Sequence, residues 1–263
     1  MTVETEFMGR VLKDAGRMVL EGSRSTEVKE NVCGIFDVVT KSDVAVERFI
    51  IDAIRREFPD DEIVSEELNP DSNPGCRFWT IDPIDGTMNY SRGIPLFGVQ
   101  MAVVENGSPI AAGIYLPVQD EMYLASSDGA FLNGRPIRTA CPRPLRECFV
   151  STGDFSRKSQ HFRDAQAIIF SECYSDIARF KVFGASCVDY AYLSCGRTDV
   201  HVRFTNKIWD FMPGLYLAEA AGAVYDKKLQ QETSILILCS SQEVLEEATE
   251  AILPRIISCF RRS

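Results

Sequence analysis

The chain has 263 residues, of which 45% are hydrophobic and 25% are charged, values near those of ordinary globular proteins. This composition excludes a disordered or fibrous protein, and the length allows a large hydrophobic core. A formal net charge of -10 argues against a nucleic-acid groove or an anionic membrane surface as partner, because both require a basic face.

The N-terminus and the cysteines bear on the cellular compartment. Residues 1–6 contain neither a basic start nor an apolar run, and no later stretch is long and apolar enough to span a bilayer. The nine cysteines form no C-x-x-C pair, which is typical of reduced thiols. We therefore expect a cytoplasmic protein without structural zinc.

Two amphipathic helices are predicted near the N-terminus. Segment 4–21 places apolar side chains at helical spacing, and Gly22 follows as a stop. A second helix carries Asp43 in its first turn and ends at Pro59. Between them, Lys29 lies in a Glu-rich, loop-like stretch, where it is either a mobile lid or an ordinary exposed lysine.

The rest of the chain divides into two halves, an N-terminal α+β half (residues 1–143) and a C-terminal α/β half (residues 144–263), packed as one compact unit. Asn-Gly turns at 106–107 and 133–134 predict antiparallel hairpins in the first half. Strand-like and helical stretches alternate in the second half. Predicted strands cover residues 63–64, 78–81, 99–104, 110–116 and 122–125, then 148–151, 180–183, 200–204, 223–225 and 235–238.

Carboxylates are the main candidates for catalysis. The chain has only two histidines, His161 and His201. This number disfavours a phosphohistidine enzyme, a Ser-His-Asp triad and a histidine-rich metal site. The glycine motifs of P-loop and dinucleotide-binding proteins are also missing from the sequence.

A hexapeptide of sequence DPIDGT follows the apolar run 78–81, so a strand delivers Asp82 and Asp85 into a tight turn. The proline fixes its own φ and the glycine permits a backbone geometry closed to other residues. Both carboxylates and the Ile84 carbonyl can then converge on one point, an oxygen cluster of the kind that Mg²⁺ prefers. The alternative is that Asp-Pro and Asp-Gly merely form a turn.

Two further acidic elements lie at the ends of predicted elements. Glu66 and Glu67 end a strand-like run, and Asp210 begins the predicted helix 211–221. The alternatives are a solvated strand end for the Glu pair and an N-cap for Asp210, with Pro213 in the first turn.

In this order, Glu66-Glu67, the hexapeptide and Trp209-Asp210 resemble the signature of the inositol monophosphatase family. The resemblance covers nearly the whole chain, from residues 37–43 to residues 219–223. It implies a mixed α+β or α/β fold, a layered αβαβα sandwich of the inositol monophosphatase and fructose-1,6-bisphosphatase type. It also implies a Mg²⁺-dependent, lithium-sensitive phosphatase that forms a homodimer.

The resemblance implies roles for particular residues. Asp43 would assist a metal-bound water, and Glu66 and Thr87 would orient and deprotonate the attacking water. Two or three Mg²⁺ ions would be bound by Glu66, Asp82, the Ile84 carbonyl, Asp85 and Asp210. Substrate contacts are expected from Gly86, Thr87, Gly184, Ala185, Ser186, Arg203 and Asp210.

A strand, a glycine and a helix follow one another around Gly184. The helix N-terminus could face anionic or hydroxylic groups of the substrate, or the segment is an ordinary turn. Relatives often carry a hydroxyl residue at the position of Ala185, so that contact is missing here. Cys187 and Cys195 fall on an apolar helical pattern and are expected in the core.

Arg203 lies seven positions before Asp210, where inositol-preferring relatives commonly have a Glu that contacts ring hydroxyls. A guanidinium cannot accept those hydrogen bonds, but it can pair with a second phosphate or a carboxylate. This departure predicts a more anionic substrate, a sugar or nucleotide phosphate; the alternative is a solvated strand residue.

The sequence therefore predicts a phosphomonoesterase that hydrolyses a small phosphorylated alcohol, an inositol monophosphate-like compound or a sugar phosphate, with a metal-activated water. Its partner would be a small phosphorylated metabolite, with no nucleic acid and no membrane. The alternative substrates are fructose 1,6-bisphosphate, 3'-phosphoadenosine 5'-phosphate and histidinol phosphate. A non-catalytic binding protein on the same fold is the alternative from another class.

Overall fold

The structure is a computed structural model that describes residues 2–32, 35–155, 159–204 and 207–260, without the side chains of residues 28–38. Short 3-10 helices cover Leu145–Glu147 and Ile257–Cys259. The α-helices of the described residues are α1 (Val3–Glu21), α2 (Lys41–Glu57), α3 (Thr87–Arg92), α4 (Gln160–Glu172), α5 (Ser186–Ser194), α6 (Ile208–Ala220), α7 (Lys227–Thr233) and α8 (Gln242–Ile256).

The strands form a two-stranded, a seven-stranded and a four-stranded sheet. The two-stranded sheet pairs β1 (Thr26–Val32) with β2 (Ile35–Thr40). The seven-stranded sheet follows chain order: β3 (Glu62–Ser65), β4 (Arg77–Asp85), β5 (Gly98–Glu105), β6 (Ser108–Leu116), β7 (Glu121–Ser126), β8 (Gly129–Leu132) and β9 (Arg135–Pro136). The four-stranded sheet has the order β11 (Arg179–Lys181), β10 (Phe149–Thr152), β12 (Val200–Arg203) and β13 (Leu236–Cys239).

These elements stack in five layers. Helices α1 and α2 pack on one face of the seven-stranded sheet, and α5 and α6 pack on its other face. The four-stranded sheet follows, and α4 and α8 cover its far side. The predicted αβαβα fold class is therefore confirmed. The middle helix layer belongs to the second half of the chain but rests on the sheet of the first half, so residues between these layers come from both halves.

The N-terminal helices and the hairpins agree with the sequence patterns. Gly22 caps α1, and α2 ends just before Pro59. Asn106 and Asn133 have positive φ angles of 51° and 49°, as tight hairpin turns require. The strand around residues 63–64 is an exception, because β3 pairs with β4 in parallel. The long connection 66–76 provides the crossover that parallel pairing needs.

Two local expectations were wrong. The predicted strand at 223–225 is a single bridge from Val224, because α7 begins at Lys227 and takes the chain away from the sheet. The stretch around Lys29 is strand β1 rather than a loop, because pairing with β2 orders it. The side chain of Lys29 lies outside the described residues, so its role as a lid stays a prediction.

The division of the chain at residues 143 and 144 falls between β9 and β10 and stays a prediction. Among the helices of the described segments, none is long and apolar enough to cross a membrane.

Candidate active site

Strand β4 brings two aspartates to the same side of the sheet. Its register against β5 shifts at this point, because Asp82 lies opposite Gln100 whereas Asp85 lies opposite Gly98. Side chains three positions apart in a regular strand point to opposite faces, but the extra residue of a bulge restores the same face. Pro83 fits the bulge because it has no N–H to donate. The side chains of Asp82 and Asp85 therefore both face α5 and α6.

Glu66 is held in place through its own segment and through α2. The Glu66 N–H donates to the Ile81 carbonyl on β4 at 3.3 Å. Behind it, the fully buried Glu47 accepts hydrogen bonds from the Ser65 hydroxyl at 2.5 Å and from the Glu67 and Leu68 N–H groups at 2.9 and 2.7 Å. One carboxylate on α2 thus satisfies the backbone of the turn that presents Glu66.

Asp210 enters the site from α6. The predicted N-cap role for Asp210 was wrong, because α6 begins at Ile208, with Lys207 as its N-cap residue and Pro213 inside the helix. The Asp210 side chain lies in the first turn, where it accepts a hydrogen bond from Arg203 at 3.0 Å instead of capping the helix.

The three acidic elements meet in one place. Glu66, Asp82 and Asp210 each present a carboxylate oxygen within 4.8 Å of the others. Asp82 is 1% exposed, and neither of its oxygens receives a hydrogen bond from the residues that the structure describes. A buried carboxylate without a donor is costly, and oxygen ligands in this arrangement suit a hard divalent cation. The residues therefore fit Mg²⁺.

Burial and neighbouring carboxylates raise the pKa values of Asp82 and Asp210. Burial and the neighbouring carboxylates of Glu66, Asp85, Asp210 and Asp43 raise the pKa of Asp82 well above its ordinary value. Burial also raises the pKa of Asp210. The positive charge of Arg203 opposes this increase, and the negative charge of Asp85 reinforces it. A bound divalent cation would favour the ionised form of both groups.

Asp85 is anchored by α5. Its Oδ2 accepts hydrogen bonds from the Ser186 hydroxyl at 2.8 Å and from the Cys187 N–H at the helix start. The Ser186 hydroxyl also lies 3.2 Å from the Asp210 carbonyl. Asp85 lies outside the three-carboxylate group described above, and its role as a metal ligand stays a prediction.

The sequence predicted that the N-terminus of α5 could face the substrate, but its donors bind Asp85 instead. The donors of Ser186 and Cys187 face Asp85 inside the protein, and Ala185 is only 4% exposed. Gly184 has a φ of 73°. Of this segment, Gly184 stays the clearest candidate for a substrate contact. Cys187 is buried and Cys195 is partly buried in the core, as predicted.

The hydroxyl of Thr87, the last residue of the hexapeptide, lies between two acceptor oxygens. The Thr87 hydroxyl is 2.9 Å from the Ile84 carbonyl and 3.3 Å from Asp43 Oδ1, so its single hydrogen can go to either oxygen. The other Asp43 oxygen accepts from the N–H and hydroxyl of Thr40 in a capping box at the start of α2. Burial, reinforced by Glu67, raises the pKa of Asp43 to about 6.

Gly86 occupies a position that other residues would distort. Its φ is 91°, and a Cβ there would lie 2.8 Å from the Ala185 Cβ and 3.0 Å from the Leu96 carbonyl. The Ala185 side chain and the Leu96 carbonyl are therefore packed directly against the hexapeptide turn. Asn89 Nδ2 donates to the Leu96 and Phe183 carbonyls, both at 2.7 Å, and so links α3 to the segment before β5 and to the α5 turn.

Two cations flank the acidic cluster. Lys207 Nζ lies 3.5 Å from Glu66 Oε1, and its side chain is 44% exposed. Arg203 Nη2 lies 3.0 Å from Asp210 Oδ2, and its side chain is 11% exposed. The alternative of Arg203 as a solvated strand residue was therefore wrong. Its contact with a second substrate phosphate stays a prediction and would require the ion pair to be exchanged.

Sequence reasoning missed Glu47, Asn89 and Lys207. Glu47 had a usable signal, since it follows Asp43 by four positions and lies on the same face of an amphipathic helix. Asn89 and Lys207 had none, because their roles depend on segments far away in sequence.

Comparisons with known proteins identify the family of the chain. The model of the inositol monophosphatase family matches residues 4–260. A fructose-1,6-bisphosphatase/inositol-1-monophosphatase of Thermotoga maritima is 32% identical over 220 residues, 83% of this chain and 82% of the relative. A Nus factor SuhB of Xylella fastidiosa is 34% identical over 225 residues, 84% of this chain and 81% of the relative. The chain belongs to the inositol monophosphatase family.

Solved structures show the same fold. The extragenic suppressor protein suhB of Bartonella henselae matches with a TM-score of 0.84 at 25% identity and covers 95% of this chain and 98% of its own. The IMPase of Thermotoga maritima matches with a TM-score of 0.83 at 27% identity and covers 99% of both chains. The predicted family is therefore confirmed.

The names of the relatives leave other expectations open. One relative is named Nus factor SuhB, and this name does not describe a hydrolase. The expected absence of a nucleic-acid partner therefore stays a prediction. The expected homodimer also stays a prediction.

Proposed function

We propose that this protein is a Mg²⁺-dependent phosphomonoesterase that hydrolyses a small phosphorylated alcohol by direct attack of water. The observation that carries this proposal is the convergence of Glu66 and Asp210 on Asp82, whose buried carboxylate receives no hydrogen bond from the described part of the chain. Such a cluster is unfavourable by itself and becomes favourable when a divalent cation binds. The family of the chain and the name of the Thermotoga relative support a phosphatase.

In this proposal the chain binds two or three Mg²⁺ ions. Bound Mg²⁺ would neutralise charge on the phosphoryl oxygens, lower the pKa of the attacking water and stabilise the leaving alkoxide. Their ligands would be Glu66, Asp82, the Ile84 carbonyl, Asp85 and Asp210.

Thr87 and Asp43 would act on the attacking water. When the Thr87 hydroxyl donates to Asp43 Oδ1, the lone pairs of its oxygen are free to accept a hydrogen from water and so orient it. A proton can then pass from the water to Thr87 Oγ1 as the hydroxyl proton moves to Asp43. The raised pKa of Asp43, about 6, makes it a better acceptor than an ordinary aspartate. Glu66 would help to orient the same water.

The proposed substrate contacts are Gly86, Thr87, Gly184 and Arg203. The geometry supports an ester small enough to bring its phosphate to the carboxylate cluster, and the name of the Thermotoga relative points to inositol and sugar phosphates. The remaining candidates are 3'-phosphoadenosine 5'-phosphate and histidinol phosphate. We further propose a cytoplasmic, homodimeric enzyme.

The test is a phosphate-release assay over these esters with Mg²⁺ and with EDTA, using the wild type, Glu66→Gln and Asp82→Asn. We expect Mg²⁺-dependent release that both variants lose. The matched control is Glu243→Gln, an exposed glutamate in the first turn of α8, which should retain wild-type turnover. Release that persists in EDTA or in Asp82→Asn would contradict the proposal. Absence of turnover together with Mg²⁺ binding would favour a non-catalytic binding protein.

A further inference from the structure

Arg203 is part of the carboxylate cluster, because it is mostly buried and paired with one of the carboxylates. It is the last residue of β12, and its Nη2 donates to Oδ2 of Asp210 at 3.0 Å. Its side chain is 11% exposed, and its Nε is buried without a hydrogen-bond partner among the described residues. The guanidinium is therefore held in place by the surrounding protein and by Asp210 together.

The two flanking cations differ in their freedom to move. Lys207 is 44% exposed on a flexible stem, so it can swing into solvent when a cation binds at Glu66. Arg203 is only 11% exposed and is paired with Asp210, so its positive charge stays beside that carboxylate. Arginine also retains its proton at every accessible pH, so deprotonation cannot remove that charge.

This fixed charge has opposite effects on the two states of the site. Without a cation, Arg203 compensates part of the repulsion among Glu66, Asp82 and Asp210, which lie within 4.8 Å of one another. Toward a cation at Asp210, the guanidinium would act as a competitor for the carboxylate and as a like charge that repels the ion.

We propose that Arg203 sets the metal affinity of this site: it weakens binding of the divalent cation at Asp210 and stabilises the metal-free protein. The inference rests on the cation site of the proposed function, but not on turnover. It makes Arg203 a positioning residue that acts through Asp210.

The primary measurement is calorimetric titration of metal-free protein with Mg²⁺ and with Mn²⁺, without substrate. Arg203→Met should lower the dissociation constant by about tenfold or more, since it removes a positive charge a few ångströms from a divalent ion. Arg203→Gln, which keeps a donor for Asp210, should change it in the same direction and supplies the comparison if the methionine variant does not fold. The matched control is Arg197→Met, which breaks the ion pair with Glu121 and should leave the constant unchanged.

Two further readouts separate this role from a merely structural one. In an Asp210→Asn background, Arg203→Gln should alter metal affinity less than in the wild type, because the competition for the Asp210 carboxylate is gone and only the direct repulsion of the ion remains. In thermal melts, Arg203→Gln should lower Tm more in EDTA than in saturating Mg²⁺, whereas loss of packing alone would lower both equally.

Equal or weaker metal binding by the Arg203 variants would overturn this inference and leave the proposed function intact. An absence of Mg²⁺ binding by the wild type would overturn both.

Discussion

Replacement of Asp82 by asparagine tests the physical basis of the site most directly. The change removes a buried charge that lies within 4.8 Å of two carboxylates and keeps the shape of the side chain. At an effective dielectric constant of about 20, each such neighbour opposes the Asp82 charge by about 3.5 kcal/mol. Protonation limits this penalty, because the pKa of Asp82 is raised by burial and by its neighbours.

We therefore expect Asp82→Asn to stabilise the metal-free protein by about 2 to 4 kcal/mol at pH 8, or about 5 to 10 °C in Tm. Thermal unfolding in EDTA, followed by circular dichroism, measures this gain. In Mg²⁺ the order should reverse, because the wild type gains stability from the cation and the variant has lost a ligand. Turnover of any substrate should fall by about 10³-fold or more.

The control is Asp52→Asn, an exposed aspartate on α2, whose Tm should stay within about 1 °C of the wild type in both buffers. An Asp82→Asn protein that is less stable than the wild type in EDTA would refute the reasoning. It would mean that favourable contacts hold the carboxylate and that the site does not require a cation.

Three further predictions follow from the same geometry. Gly86→Ala should destabilise the protein by about 2 to 4 kcal/mol in urea unfolding. The control Gly107→Ala should cost only about 1 kcal/mol, because Gly107 also has a positive φ but nothing lies within 4 Å of a Cβ there. The pKa of Asp43 is raised from 3.8 to about 6, so the stability that its protonated form contributes to the metal-free protein is lost as pH rises through 6. The stability of Asp43→Asn, measured against pH in EDTA, should lack this decline. Parallel pH profiles of the variant and the wild type would contradict the prediction. Thr87→Val should lower kcat by about 10²-fold or more in the phosphate-release assay while Thr87→Ser retains most of it, and equal loss in both variants would remove the hydroxyl from the mechanism.

The fold was predictable where the local pattern is strong. Helices α1 and α2 show regular apolar spacing and clear stops, and the Asn-Gly turns fix their hairpins because few residues accept a positive φ. The parallel pairing of β3 was not predictable, since the choice of a partner strand depends on the whole sheet. Strand β1 was missed because its order comes from pairing with β2 and its own residues give little signal.

The acidic side chains of the candidate site were predictable from the sequence, but their supporting structure was not. The hexapeptide predicted that Asp82 and Asp85 converge; the structure places both on one side of the sheet, and the cause is the register shift against β5, which no local rule reveals. The N-cap interpretation of Asp210 was wrong. An Asp near the start of an apolar helix can either cap the helix or pair with a distant side chain, and Asp210 pairs with Arg203. Glu47 was missed because its spacing from Asp43 places it on the inner face of α2 but does not reveal the backbone groups that it binds.

The position of the two cations explains why the acidic ligands alone do not determine how this site responds to metal. Lys207 and Arg203 both come from the segment that leads from β12 into α6, the same segment that delivers Asp210. In the proposed site, the ligand Asp210 and the charges that would compete with the metal are thus close together in sequence. A change in this connection can alter cation affinity while Glu66, Asp82 and Asp85 stay unchanged, because those carboxylates are positioned by β3, β4 and α5. Two proteins with the same hexapeptide can therefore differ in the Mg²⁺ concentration at which they are active, and Arg203 is the residue of this chain at which that difference should be sought first.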